Sequence, residues 1–180
     1  MLKKVEDFRS STQLKSSAVR GLKNLVMEKF EGNEEMVSEM FVAEFPVIEN
    51  KFKAPHNDIS LISVNNTILF IQNSEVTIPH LRVLHRYPGI MKQMQVDRGA
   101  IKHVLSGANI MCRGLTSAGG RIVAAEEGEV VSIVGEGKQH AMAIGILRKS
   151  SEAIQKENNG IGIELLHYIG DGIWKTKINH

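Results

Sequence analysis

Arg98, Lys102, Arg113 and Arg121 fall in a stretch, 98 to 121, that contains no Asp or Glu. Cations grouped in this way suit phosphate. The glycine-bearing steps Gly107-Ala108 and Arg113-Gly114 carry so little side chain that their backbone N–H groups could approach phosphate or ribose directly. His103 lies in the same stretch. Its imidazole suits stacking on an unpaired base or a place in a hydrogen-bonded surface, about equally. The chemistry this pattern fits is nucleic-acid recognition. The eight residues that would carry it are Arg98, Lys102, His103, Gly107, Ala108, Arg113, Gly114 and Arg121.

Patterns for catalysis are weaker. The seven histidines, at 56, 80, 85, 103, 140, 167 and 180, show no metal-ligand spacing with one another or with Cys112. Gly135-Glu136-Gly137-Lys138-Gln139 fails as a phosphate loop, because Ser132 stands where its first glycine is needed and Gln139 follows the lysine. Gly160-Ile161-Gly162 lacks the third glycine of a dinucleotide fingerprint and follows a helix rather than a strand. Cys112 has no base nearby in sequence and reads as a small buried residue, and Asp97 reads as a helix cap. Neither an enzyme nor a bound cofactor, metal or small-molecule substrate is expected.

The elements that would position the basic stretch can be read around it. Asp97 caps a helix over 98–106 whose apolar side is Ile101, Val104 and Leu105, and Gly107 ends it at positive φ. Strands are expected after Met91 and near 108–112, 121–124, 129–135 and 139–148, then a helix over 151–158 and a last hairpin around Gly170-Asp171-Gly172. Short strands with repeated glycines favour a small, partly closed barrel. Trp174 is expected as a plug in its core. Upstream, Leu14, Ala18, Leu22, Leu25, Val26 and Phe30 recur at helical spacing over 12–30, and a second helix fits Glu34 to Phe41. Asn65-Asn66 joins two strands of a hairpin, and Pro79 starts a short helix that ends before Tyr87-Pro88. A domain boundary falls near Met91, dividing the chain into 1–91 and 92–180.

Composition agrees with two small soluble domains. The chain has 180 residues, 42% hydrophobic and 23% charged, and no apolar run approaches the roughly 20 residues that span a bilayer. The N-terminus turns polar where a signal peptide needs its apolar segment, and a lone cysteine suits a reducing compartment, so the cytoplasm is the expected location. The net charge is only +2, with 12 basic against 11 acidic groups in 1–92 and 10 against 9 in 93–180, so any basic surface must be local. Glu126, Glu127, Glu129 and Glu136 follow the basic stretch directly, which predicts a segregation of charge within the second domain.

Val96-Asp97-x-Gly99-Ala100, Gly107-Ala108-Asn109-Ile110 and Gly114-Leu115 resemble the opening of a PUA domain, a pseudo-barrel module of RNA-binding proteins. Gly137-Lys138-Gln139-His140-Ala141, Gly160-Ile161-Gly162 and Asp171-Gly172-Ile173-Trp174 resemble its later strands. Gln13-Leu14-Lys15-Ser16-Ser17, Gly21-Leu22-Lys23-Asn24 and Leu84-His85-Arg86-Tyr87-Pro88 extend the likeness to the N-terminal half. Nearly the whole chain is thus similar to the malignant T-cell-amplified-sequence family. Arg113 and Ala118 stand where better-known members have proline, which makes this loop more basic. The resemblance implies an α+β protein, a small N-terminal domain with an antiparallel sheet followed by a PUA pseudo-barrel. It also implies a function: a non-enzymatic translation factor that works with density-regulated protein on the small ribosomal subunit. Its tasks would be re-initiation, unusual initiation and release of deacylated tRNA, with contacts to tRNA or ribosomal RNA. The alternative is a tRNA-binding module that serves a separate tRNA-modifying enzyme.

Overall fold

The computed structural model describes residues 8–53 and 58–178. The first half is an antiparallel sheet of β1 (Phe8–Gln13), β2 (Val47–Phe52), β3 (Ile59–Val64), β4 (Thr67–Gln72) and β5 (Thr77–Pro79), in that order. Helices α1 (Ser16–Lys29) and α2 (Glu34–Met40) lie between β1 and β2, and α3 (Leu81–Arg86) follows β5. The second half holds β6 (Gln93–Val96), α4 (Arg98–Leu105), β7 (Ile110–Met111), α5 (Cys112–Thr116), β8 (Val130–Gly135), β9 (Ala143–Leu147), α6 (Ser151–Glu157), β10 (Ile161–Tyr168) and α7 (Gly172–Lys175). Its sheet runs β6-β8-β9-β10-β7, with only the β6–β8 pair parallel, and curls into the expected pseudo-barrel. The class is α+β.

Two apolar clusters hold these layers. One is confined to the second half, where Met94, Val96, Val104, Leu115, Ile133 and Leu165 meet inside the barrel. The other fills the first half around Phe70, which stacks between Phe30 and Phe41 at 6.2 Å from each ring. That cluster also takes in Ala141, Ile144, Leu166, Ile173 and Ile178, so the contact between the halves is continuous with a core. Trp174, expected as a barrel plug, instead packs half-buried against this first core. There it stacks on the ring of His80 at 5.9 Å, meets the edge of His85 at 5.8 Å and lies 4.4 Å under the Arg82 guanidinium.

Several expected elements differ in extent, each for a local reason. The helix over 12–30 starts only at Ser16, because Leu14 still donates its amide to Val47 O in continuation of the β1–β2 pairing. β1 and β2 give no alternating signal: every residue of β1 is exposed, and its antiparallel pairing with β2 defines it. Pro79 ends a strand rather than starting a helix, paired with Phe70 at the sheet edge where a missing N–H is tolerated, and His80 caps α3 through Nδ1. Residues 121–124 form a single bridge between Arg121 and Gln95 instead of a strand. No hairpin forms at 170–172. Asp171 turns the chain into α7, accepting the amide of Trp174 at 2.7 Å while its other oxygen takes His167 Nδ1 at 2.7 Å and the Tyr168 amide at 3.0 Å.

Candidate nucleic-acid interface

The basic stretch is built on α4. Asp97 Oδ1 accepts the amide of Ala100 at 2.9 Å and Oδ2 accepts the Ser117 hydroxyl at 2.6 Å. Ser117 and the amides of Ala100 and Gly99 hold the Asp97 carboxyl below the usual carboxylate range. This carboxylate therefore ties the start of α4 to the end of α5. At the other end Gly107 takes φ 87, its amide reaching Val104 O at 2.9 Å while Ala108 N reaches His103 O at 3.0 Å. These two bonds make a Schellman turn. They also occupy the Gly107 and Ala108 amides, so the openness of this corner comes from missing side-chain bulk and not from unused donors.

Beside α4 runs an open groove of about 710 Å³ lined by α4, the turn after it, β7, α5 and the first residue of β10. Val104 and Ile110 form its floor, while Met111 and Ile161, paired across β7 and β10, form an exposed apolar wall. His103, Ala108, Arg113 and Gly114 line it. Gly114 is buried, and a Cβ there would stand 3.3 Å from Ala100 Cβ, so its smallness lets α5 close against α4. Arg98 and Lys102 are exposed on other faces of α4, and Gly107 is buried in its turn. Arg121 is exposed on the β6 edge, where it reaches toward Gln93 Oε1 at 3.3 Å. The groove thus gathers four of the eight residues and leaves four around it.

Sequence reasoning missed three residues of this site. Asn109 lines the groove and accepts the Leu165 amide through Oδ1 at 3.0 Å, taking over where the β7–β10 ladder stops. Met111 and Ile161 were unremarkable as apolar residues; only the pairing register puts them outside. The expected charge segregation fails at Glu136. Glu136 folds back onto α4 and accepts the Arg98 amide at 2.8 Å, with its carboxylate against Gly119. The positive end of α4 is already met by two carboxylates. Leu105, expected on the apolar side of α4, is 41% exposed. Cys112 is fully buried, its thiol donating to Asn159 O at 3.2 Å.

An antiparallel α/β domain joined to a pseudo-barrel with such a groove defines a class of two-domain PUA proteins. Residues 2–88 match the Pre-PUA-like domain and residues 92–169 match the PUA domain. The chain is 44% identical over 173 residues to malignant T-cell-amplified sequence 1 of Rattus norvegicus, covering 96% of this chain and 93% of that protein. It is 41% identical over 178 residues to translation machinery-associated protein 20 of Eremothecium gossypii, covering 96% of each. Among solved structures it is similar to a hypothetical protein of Pyrococcus horikoshii, with TM-score 0.72, 25% identity and coverage of 92% and 98%. The chain belongs to the malignant T-cell-amplified sequence family.

Proposed function

We propose that this protein is a non-enzymatic RNA-binding translation factor of the cytoplasm. It acts on the small ribosomal subunit, together with density-regulated protein, in re-initiation, non-standard initiation and release of deacylated tRNA. The observation that carries the RNA-binding part is the groove beside α4. An apolar floor and wall with a cation and an imidazole at the lip suit an unstacked base with its phosphate, and suit poorly a small polar metabolite. In this reading Arg113 meets phosphate at the lip and His103 lies on a base. Ala108 and Gly114 leave room for the ribose, with Gly107 shaping the turn. Arg98, Lys102 and Arg121 draw in the flanking backbone. The translation-machinery name of the Eremothecium gossypii relative supports the setting.

The test is binding to purified small ribosomal subunits across a salt series, with and without density-regulated protein from the same source. Salt-sensitive binding strengthened by the partner is expected, because phosphate contacts release counterions. No binding to subunits under any condition, beside tight binding to free tRNA, would instead make the chain a tRNA-directed module serving a separate modifying enzyme.

A further inference from the structure

The cations of the two domains continue one another across their junction. Arg98, at the start of α4, has its guanidinium 4.0 Å from where a Cβ on Gly137 would stand, next to Lys138 in the β8–β9 turn. Two residues on, the exposed ring of His140 lies 5.4 Å from His85 of α3, whose Nε2 meets Ala141 O at 2.7 Å. One turn back along α3, Arg82 places its guanidinium 4.4 Å over the ring of Trp174 and donates to its carbonyl at 3.1 Å, and exposed Lys175 follows. The bordering carboxylates are committed: Glu136 to the Arg98 amide, Glu39 to Arg86 and Tyr87. Arg82 is exposed and held by stacking, with one of its five donors used on Trp174 O. A preorganised guanidinium of this kind matches phosphate better than a mobile ammonium does.

We propose that the strip from Arg98 through Lys138, His140 and His85 to Arg82 and Lys175 is a second RNA-contact surface, which carries the phosphate backbone from the PUA groove onto the N-terminal domain. RNA is favoured over an acidic protein segment because the strip begins on α4, the helix that forms one side of the groove. The strip rests on the proposed RNA reading but can be separated from it by RNA length. The probes are oligouridylates of about 4 nucleotides, enough for the groove alone, and about 16 nucleotides, enough to leave it.

The protein is compared with a Lys138→Ala/Lys175→Ala double variant, at two exposed positions whose side chains make no hydrogen bond or ion pair among the described residues. The long RNA should bind the unaltered protein more tightly than the short one. In the variant its affinity should fall several-fold and its salt slope by about 1.4, the share of two phosphate contacts on a single strand. The short RNA should bind both proteins alike. Equal binding of the long RNA to both proteins, or no advantage of long over short, would overturn the strip while leaving the groove standing. Loss of long-RNA binding where the short RNA never bound would keep the strip and remove the groove. Failure of the unaltered protein to bind either RNA would overturn both. Competition by polyglutamate as strong as that of the long RNA would assign the strip to acidic protein instead.

Discussion

His80 shows how much one side chain can set. It is fully buried at the junction, its Nδ1 accepts the Arg82 amide at 3.1 Å to cap α3, and its ring lies 4.9 Å from His167. Burial, then the neighbouring His167 and Arg82, pushes its pKa down to about 2. The folded protein therefore keeps His80 neutral where an unfolded chain would protonate it near the ordinary histidine value of about 6.5. With the folded pKa depressed, the contribution of His80 to stability is complete above about pH 6.5 and is lost as pH falls below it, at up to about 1.4 kcal/mol per pH unit. Urea midpoints measured from pH 7.5 to 4.5 should fall with acid. His80→Asn, which can still cap α3 and does not titrate, should flatten that fall. An unchanged pH slope in the variant would place the acid sensitivity elsewhere.

At the scale of elements, α4 carries the site and its end is the most testable point. Gly107 sits at φ 87, where any L side chain is strained, and both amides of the Schellman turn depend on that geometry. Gly107→Ala should cost about 1–2 kcal/mol, read as a lower urea midpoint, and Gly107→Asn should cost less because Asn tolerates this region better. This helix, with Asp97 before it and Gly107 after it, was legible from sequence because its caps are chemically distinctive. The Asn65-Asn66 turn was legible for the same reason, and both residues take positive φ at 46° and 58°. β1 was not, since an edge strand with all side chains exposed leaves no pattern to read. α5 is a five-residue helix containing a glycine, too short for any periodicity. The groove was half legible. His103 and Arg113 stand out by type, whereas Met111, Ile161 and Asn109 become part of it only through the pairing of β7 with β10.

For the whole molecule, the junction between the domains matters most. Trp174 belongs in sequence to the second domain but packs with His80, Arg82 and His85 of the first, and Ile144, Leu166 and Ile173 join the first core. Nothing in the local sequence around Asp171-Gly172-Ile173-Trp174 shows this, because the partners lie about ninety residues away, as in the bond between Arg82 and Trp174. A shared core predicts one cooperative unfolding transition, with Trp174 fluorescence and far-ultraviolet circular dichroism giving the same midpoint. Separate midpoints would mean that the domains unfold independently. A fixed junction would also hold the α4 groove and the α3 surface in one frame, so that a bound RNA meets a single rigid body.

RNA in the groove beside α4 would lie within reach of photocrosslinking at single residues. The protein would be irradiated on small ribosomal subunits whose RNA carries 4-thiouridine, and the crosslinked residues identified by mass spectrometry. Crosslinks at His103, Met111, Arg113 or Ile161, lost when excess salt displaces the protein, are the predicted result. Crosslinks confined to β1 and α1, with none on the groove, would mean that RNA does not enter it.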